Sequence, residues 1–168
     1  PAVQDGTFAN ASVMAAVTGK DDLKFAFENV GAIIKFTVEK DNVAQVVFTA
    51  QEALGGTVEM SFSSAVAATV SGTANSVTFP SATVNGAVTP GDYYVCVAPV
   101  ALAGGLTISA VNTDGGVLAM NTIETIETLE RSHIYEVGAV DYVDPATITE
   151  YFVTVEGKGT KSGLDWEN

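Results

Sequence analysis

Apolar positions along the chain recur every second residue or gather in runs of four to eight. The runs are "LKFAF" (23–27), "AIIKFTV" (32–38), "AQVVFTA" (44–50), "GTVEMSF" (56–62), "NSVTF" (75–79), "DYYVCVAP" (92–99), "GLTISAV" (105–111), "GVLAMNT" (116–122) and "HIYEVGAV" (133–140). Each is rich in Val, Ile, Thr, Phe or Tyr and is bounded by Gly, Asn, Asp or Pro, as strands are. In "AIIKFTV" the period of two puts Ile34, Phe36 and Val38 on one face and Ile33, Lys35 and Thr37 on the other, so one face is core. The pattern predicts an all-β chain.

Turn chemistry separates the runs. "EALGG", "VTPGD", "LAGG" and "NTDGG" supply glycine for positive φ or proline for a preset φ. "NTDGG" between two alternating runs is the strongest hairpin signal, and its Asp-Gly pair suits a primed turn. About nine strands at this spacing predict a sandwich or a small barrel. "NTIETIETLERS" spaces Ile123, Ile126 and Leu129 by three, which suits neither strand nor helix. It predicts a strand ending near Glu124, followed by a turn and a connection. After Tyr142 the polar, Pro-containing "VDPATITE" reads as a linker, and "YFVTV" then opens a new strand.

Composition narrows the function classes. The chain has 168 residues, 47% apolar and 16% charged, so it has the means to build a core. Seven Lys and Arg against twenty Asp and Glu give a net charge of −13. That balance leaves no cationic patch to displace phosphate counterions, which argues against nucleic acid and anionic membrane surfaces as partners. Uncharged stretches are broken by Gly and Pro and rich in Ser and Thr, so no transmembrane segment is expected.

The candidate chemistry is sparse. Cys96, the one cysteine, cannot form an internal disulfide, and inside "YYVCVAP" it reads as a buried small hydrophobe. His133, the one histidine, excludes a multi-histidine zinc site within the chain and precedes a strand, where a structural or surface role is expected. The acids spread over loops and faces, with Asp21-Asp22 and the Glu124, Glu127, Glu130 series as the local groups. They read as solvated charge rather than as a glycosidase pair. No D-x-D-x-D calcium pattern occurs, and the glycine-rich pieces lack the lysine and helix of a phosphate loop. No catalytic residue, cofactor or metal is therefore predicted. The weak ligand-contact candidates are aromatic: Tyr93 and Tyr94, which point to opposite faces of their strand, and Trp166.

Six segments in order, "PAVQDGTFANASVMAAV", "LKFAFENVGAIIKFTV", "EALGGTVEMSF", "VTPGDYYVCVAPV", "GGLTISAVNTDGGVLAM" and "RSHIYEVGAVDY", resemble fimbrillin-like proteins of Bacteroidales over about residues 1–142. The resemblance implies an antiparallel, transthyretin-like β-sandwich of Greek-key type, the second of two such domains in an exported, outer-membrane-anchored or extracellular surface protein. Residues 1–17 would be the inter-domain connection or a first strand, 18–142 the sandwich and 143–150 a linker. "YFVTVEGKGTKSGLDWEN" (151–168) is similar to the opening of right-handed parallel β-helix domains, with Trp166 covering the first coil. A non-catalytic module for adhesion or for display of a downstream domain follows as the expected function. Its partners would be other domains of the same protein, surface glycans, or host or bacterial surface proteins. The alternatives are a carbohydrate-binding accessory to a polysaccharide-active β-helix and a strand-exchanging pilin subunit.

Overall fold

A computed structural model describes residues 6–19, 24–57, 59–61, 69–80 and 86–141. The expected linker and the tail that carries Trp166 lie outside the described residues. The elements in chain order are α1 (Phe8–Ala11), β1 (Met14–Ala15), β2 (Glu28–Asn29), β3 (Ala32–Val38), β4 (Val43–Thr49), β5 (Glu59–Ser61), β6 (Thr69–Ser71), β7 (Ser76–Phe79), β8 (Gly91–Val97), β9 (Val100–Ala101), β10 (Leu106–Asn112), β11 (Val117–Ile123), β12 (Thr128–Leu129) and β13 (Ile134–Ala139). The protein is an all-β sandwich.

One sheet has the order β11-β10-β4-β7 and the other β13-β3-β8, with two-stranded pairs β1-β2, β5-β6 and β12-β9 beside them. Alternation puts Ile34, Phe36 and Val38 of β3, Val46 and Phe48 of β4, Val95 and Val97 of β8, and Leu106 and Ile108 of β10 in one shared core. Aromatic edges interlock at its centre: the Phe36 ring meets Phe48 at 5.1 Å and Phe79 at 5.4 Å, both edge-on. Since β3 lies over β4 and β8 over β7, the β13 edge of one sheet falls on the same side as the β11 edge of the other.

Three features depart from the sequence reading, and a fourth adds to it. The first is the pairing of β13 with β3, which is parallel where every other described strand pair is antiparallel, and carries a register shift between Glu136 and Ala139. Alternation reveals a buried face but not strand direction, and the connection from β11, anchored where β12 pairs with β9, lets β13 return in the same sense as β3. The second is "LKFAF": Lys24–Phe27 take no strand conformation, and Phe25 and Phe27 are 60% and 65% exposed, their rings stacked on each other at 6.4 Å. Among the described residues, strand pairing in this stretch is confined to Glu28–Asn29, which pair with β1.

The third is the "NTDGG" hairpin. It joins β10 to β11 as expected, but positive φ falls on Gly115 (+87°), and Ser132 is the one non-glycine residue at positive φ among those described. Asn112 builds the turn instead of a primed Asp-Gly pair: its Oδ1 accepts from the backbone N–H of Asp114 (3.0 Å) and of Gly116 (2.7 Å). The fourth is "NTIETIETLERS", where β11 ends at Ile123 as expected. Leu129 then enters the core from β12, whose partner is β9, and Ile126 packs against that core. The period of three reflects separate anchor points along a connection.

Candidate functional site

The strand β8 carries the aromatic candidates to opposite sides. Tyr93 turns inward, its ring 4.7 Å from that of Phe79 and 5.9 Å from that of Phe36, and its hydroxyl donates to the carbonyl of Thr89. Tyr94 faces outward, where the Phe8 ring of α1 meets it edge-on at 5.4 Å. Both are half-buried, and the structure brings neither into an open aromatic platform. Trp166, the third candidate, lies outside the described residues.

The outer face of β3 and β8 is otherwise covered by the N-terminal segment. Thr7 caps α1, accepting from the Asn10 N–H, and Ala11 seats against Ile33 and Cys96 to form a second, small apolar cluster. Tyr94 N–H donates to the carbonyl of Gly6 (2.8 Å), so this segment occupies the free edge of β8. Gly6 has φ +78°, and a Cβ there would stand 2.5 Å from Tyr93 Cδ1 and 2.6 Å from Phe79 Cε2. Nothing larger fits between those rings.

Next to this cover lies a polar row. Lys35 Nζ is 2.5 Å from Glu136 Oε1 and 3.4 Å from Asp92 Oδ2, and Thr37 Oγ1 donates to Asp92 at 2.7 Å. The Thr37 hydroxyl, then Lys35, hold the Asp92 carboxyl below the usual carboxylate range. The bond to Glu136 raises Lys35. The row is solvated, so it is a cross-strand pairing device that adds little stability. His133 is on the surface, its Nε2 3.4 Å from Glu130 Oε2 and its Nδ1 3.1 Å from the Arg131 carbonyl. Among the described residues no three His, Cys, Asp or Glu gather in a metal-holding group, and no helix is long and apolar enough to cross a membrane.

The residue that sequence reasoning missed is Asp141, fully buried just past β13. Its Oδ1 and Oδ2 accept from the Glu39 N–H at 3.1 and 3.0 Å, and Oδ2 also accepts from the Lys40 N–H at 2.5 Å. The carboxylate thereby clamps the turn from β3 to β4 onto the point where the last strand ends. Its partners are backbone groups about a hundred positions away, and "AVDY" looks like any strand end, so no local signal marks it. The chain matches no protein-family model and no curated protein sequence.

Cys96 is buried, as its setting in the sequence suggested, and burial pushes its thiol pKa up. It is expected to react with a thiol reagent slowly in the native protein and rapidly in denaturant. Equal rates in the two conditions, measured by mass shift over time, would refute this placement.

Proposed function

We propose that this chain is a non-catalytic β-sandwich module of a bacterial surface protein, serving adhesion or the display of a downstream domain. The surface and adhesion terms come from the resemblance to fimbrillin-like proteins. The observation that carries the display role is mechanical: among the described strands, the first long one, β3, and the last, β13, lie side by side and parallel. Once the N-terminal contacts at Gly6 and Val13 give way, tension along the chain pulls β3 and β13 in opposite directions along their length. The ladder between them is loaded in shear, all bonds at once, rather than opened one bond at a time. The Asp141 clamp ties the loaded end of β13 to the turn after β3.

Single-molecule stretching tests the reading. Pulling through the two ends is expected to need clearly more force than pulling through Lys40 and the C-terminal end, which attach at the same end of the β3–β13 ladder, a direction that peels β13 from β3. Equal rupture forces in the two directions would remove the argument for a load-bearing display module.

A further inference from the structure

Residues 6–15 lie as a strap on the outside of the β13-β3-β8 sheet, and their route decides how a pull from the N-terminal side reaches the sandwich. Gly6 is held at the edge of β8, where its carbonyl accepts from the Tyr94 N–H at 2.8 Å. Phe8 rests edge-on against Tyr94, and Ala11 seats on Ile33 and Cys96. The Val13 carbonyl then accepts from the Val30 N–H at 3.0 Å, and β1 pairs antiparallel with β2, Met14 opposite Asn29 and Ala15 opposite Glu28. Two residues after Val30 the chain enters β3.

The β1-β2 pair is therefore loaded at its open end. Its first arm takes the pull through Val13, and its second arm runs into β3, which is fixed between β8 and β13. A pair loaded this way opens step by step, Val13–Val30 before Met14–Asn29 before Ala15–Glu28, and a two-stranded ribbon is marginal by itself. The second arm has further ties. Arg131 Nη2 lies 3.2 Å from Glu28 Oε2, and Ser132 Oγ donates to the Asn29 carbonyl at 3.3 Å, so β2 stays on the turn before β13 while β1 leaves. Met14, Phe25 and Phe27 are each more than half exposed, so their release gives up little burial. The pairing of β3 with β13 is held differently, in shear and with the Asp141 clamp at its end.

We propose that residues 6–15 are a tension-released cover: a pull from the N-terminal side strips them from the outer face of β3 and β8 at a force that leaves the β3–β13 ladder intact. Ile33 and Cys96 are then uncovered on a sandwich that remains folded. The inference rests on the display reading for the source of the tension, whereas the order of release follows from the antiparallel pairing of β1 with β2 and the parallel pairing of β3 with β13. Residues 6–27 come free, up to about 75 Å of chain at full extension. The loaded module thus shows an apolar outer face that the relaxed one hides, and the thiol beneath Ala11 reports the load.

Stretching the full chain through its two ends tests this. An early step of up to about 75 Å is expected before the main rupture. With the chain held between the two forces, Cys96 should react with a thiol reagent at least about tenfold faster than at zero force. In a Cys96→Ala chain, the disulfide formed by Met14→Cys with Asn29→Cys, which face each other, should shorten the early step by more than half, because residues 15–28 leave the load path. Absence of an early step, a step of unchanged length in the disulfide-closed chain, or Cys96 as slow under load as at rest would each overturn the inference. An early step followed by equal main ruptures in the two pulling directions would sustain the cover and remove only the display reading.

Discussion

Replacing Asp141 with alanine is expected to destabilise the sandwich by about 3 kcal/mol, the upper range for hydrogen bonds to a charged group whose loss strands its donors. Three contacts go at once, from the N–H groups of Glu39 and Lys40. The position is fully buried, so water cannot take the carboxylate's place without opening the end of β13. Asp141→Asn should fall between the two, because its amide oxygen can keep one donor while its NH2 group faces another. Urea denaturation of the three proteins checks the order. A loss below about 1 kcal/mol for Asp141→Ala would show that the clamp is incidental. The same substitution should lower the force needed to shear β13 from β3, linking the buried carboxylate to the proposed display role.

The core was legible because burial imposes a period of two: Ile34, Phe36 and Val38 face inward as the alternation of "AIIKFTV" requires. Turn positions were legible where glycine marks them, as at "NTDGG", although the turn type was set by the Asn112 side chain, a choice that the Asp-Gly pair does not encode. What stayed hidden depends on contacts far apart in the chain. The direction of β13, the Asp141 clamp and the fate of the outward pair Ile33 and Cys96 are each decided by a partner tens of residues away. In "LKFAF" the described Lys24–Phe27 take no strand conformation although the alternation is real, and none of the described strands pairs with them. For the candidate site, the sequence put Tyr93 and Tyr94 on opposite faces of one strand, as the structure does, but not what covers each. The fold put Tyr93 between Phe79 and Phe36, and Tyr94 under Phe8.

The outward face of β3 and β8 leads to the second large expected effect. A chain starting at residue 18 should lose about 3 kcal/mol of stability, and Cys96 should then be labelled nearly as fast as in denaturant. Removing residues 1–17 uncovers Ile33 and Cys96, which Ala11 covers, and takes away the acceptor of the Tyr94 N–H at Gly6. It also strips Val13 from Val30, whose N–H donates to the Val13 carbonyl at 3.0 Å. The apolar part alone amounts to roughly one to two buried side chains at about 1.5–3 kcal/mol each. Gly6→Ala tests the same contact without deletion: its methyl would lie 2.5 Å from the Tyr93 ring at a positive φ, so about 2 kcal/mol is expected from overlap and backbone strain. Because Gly6 touches both β8 and β7, the substitution acts on both sheets, and its unfolding should remain a single transition. If the shortened chain were as stable as the whole, with Cys96 still protected, the segment before residue 18 would be a passive connection lying against the sandwich. If Gly6→Ala and the deletion both destabilise, that segment is part of the sandwich's own edge.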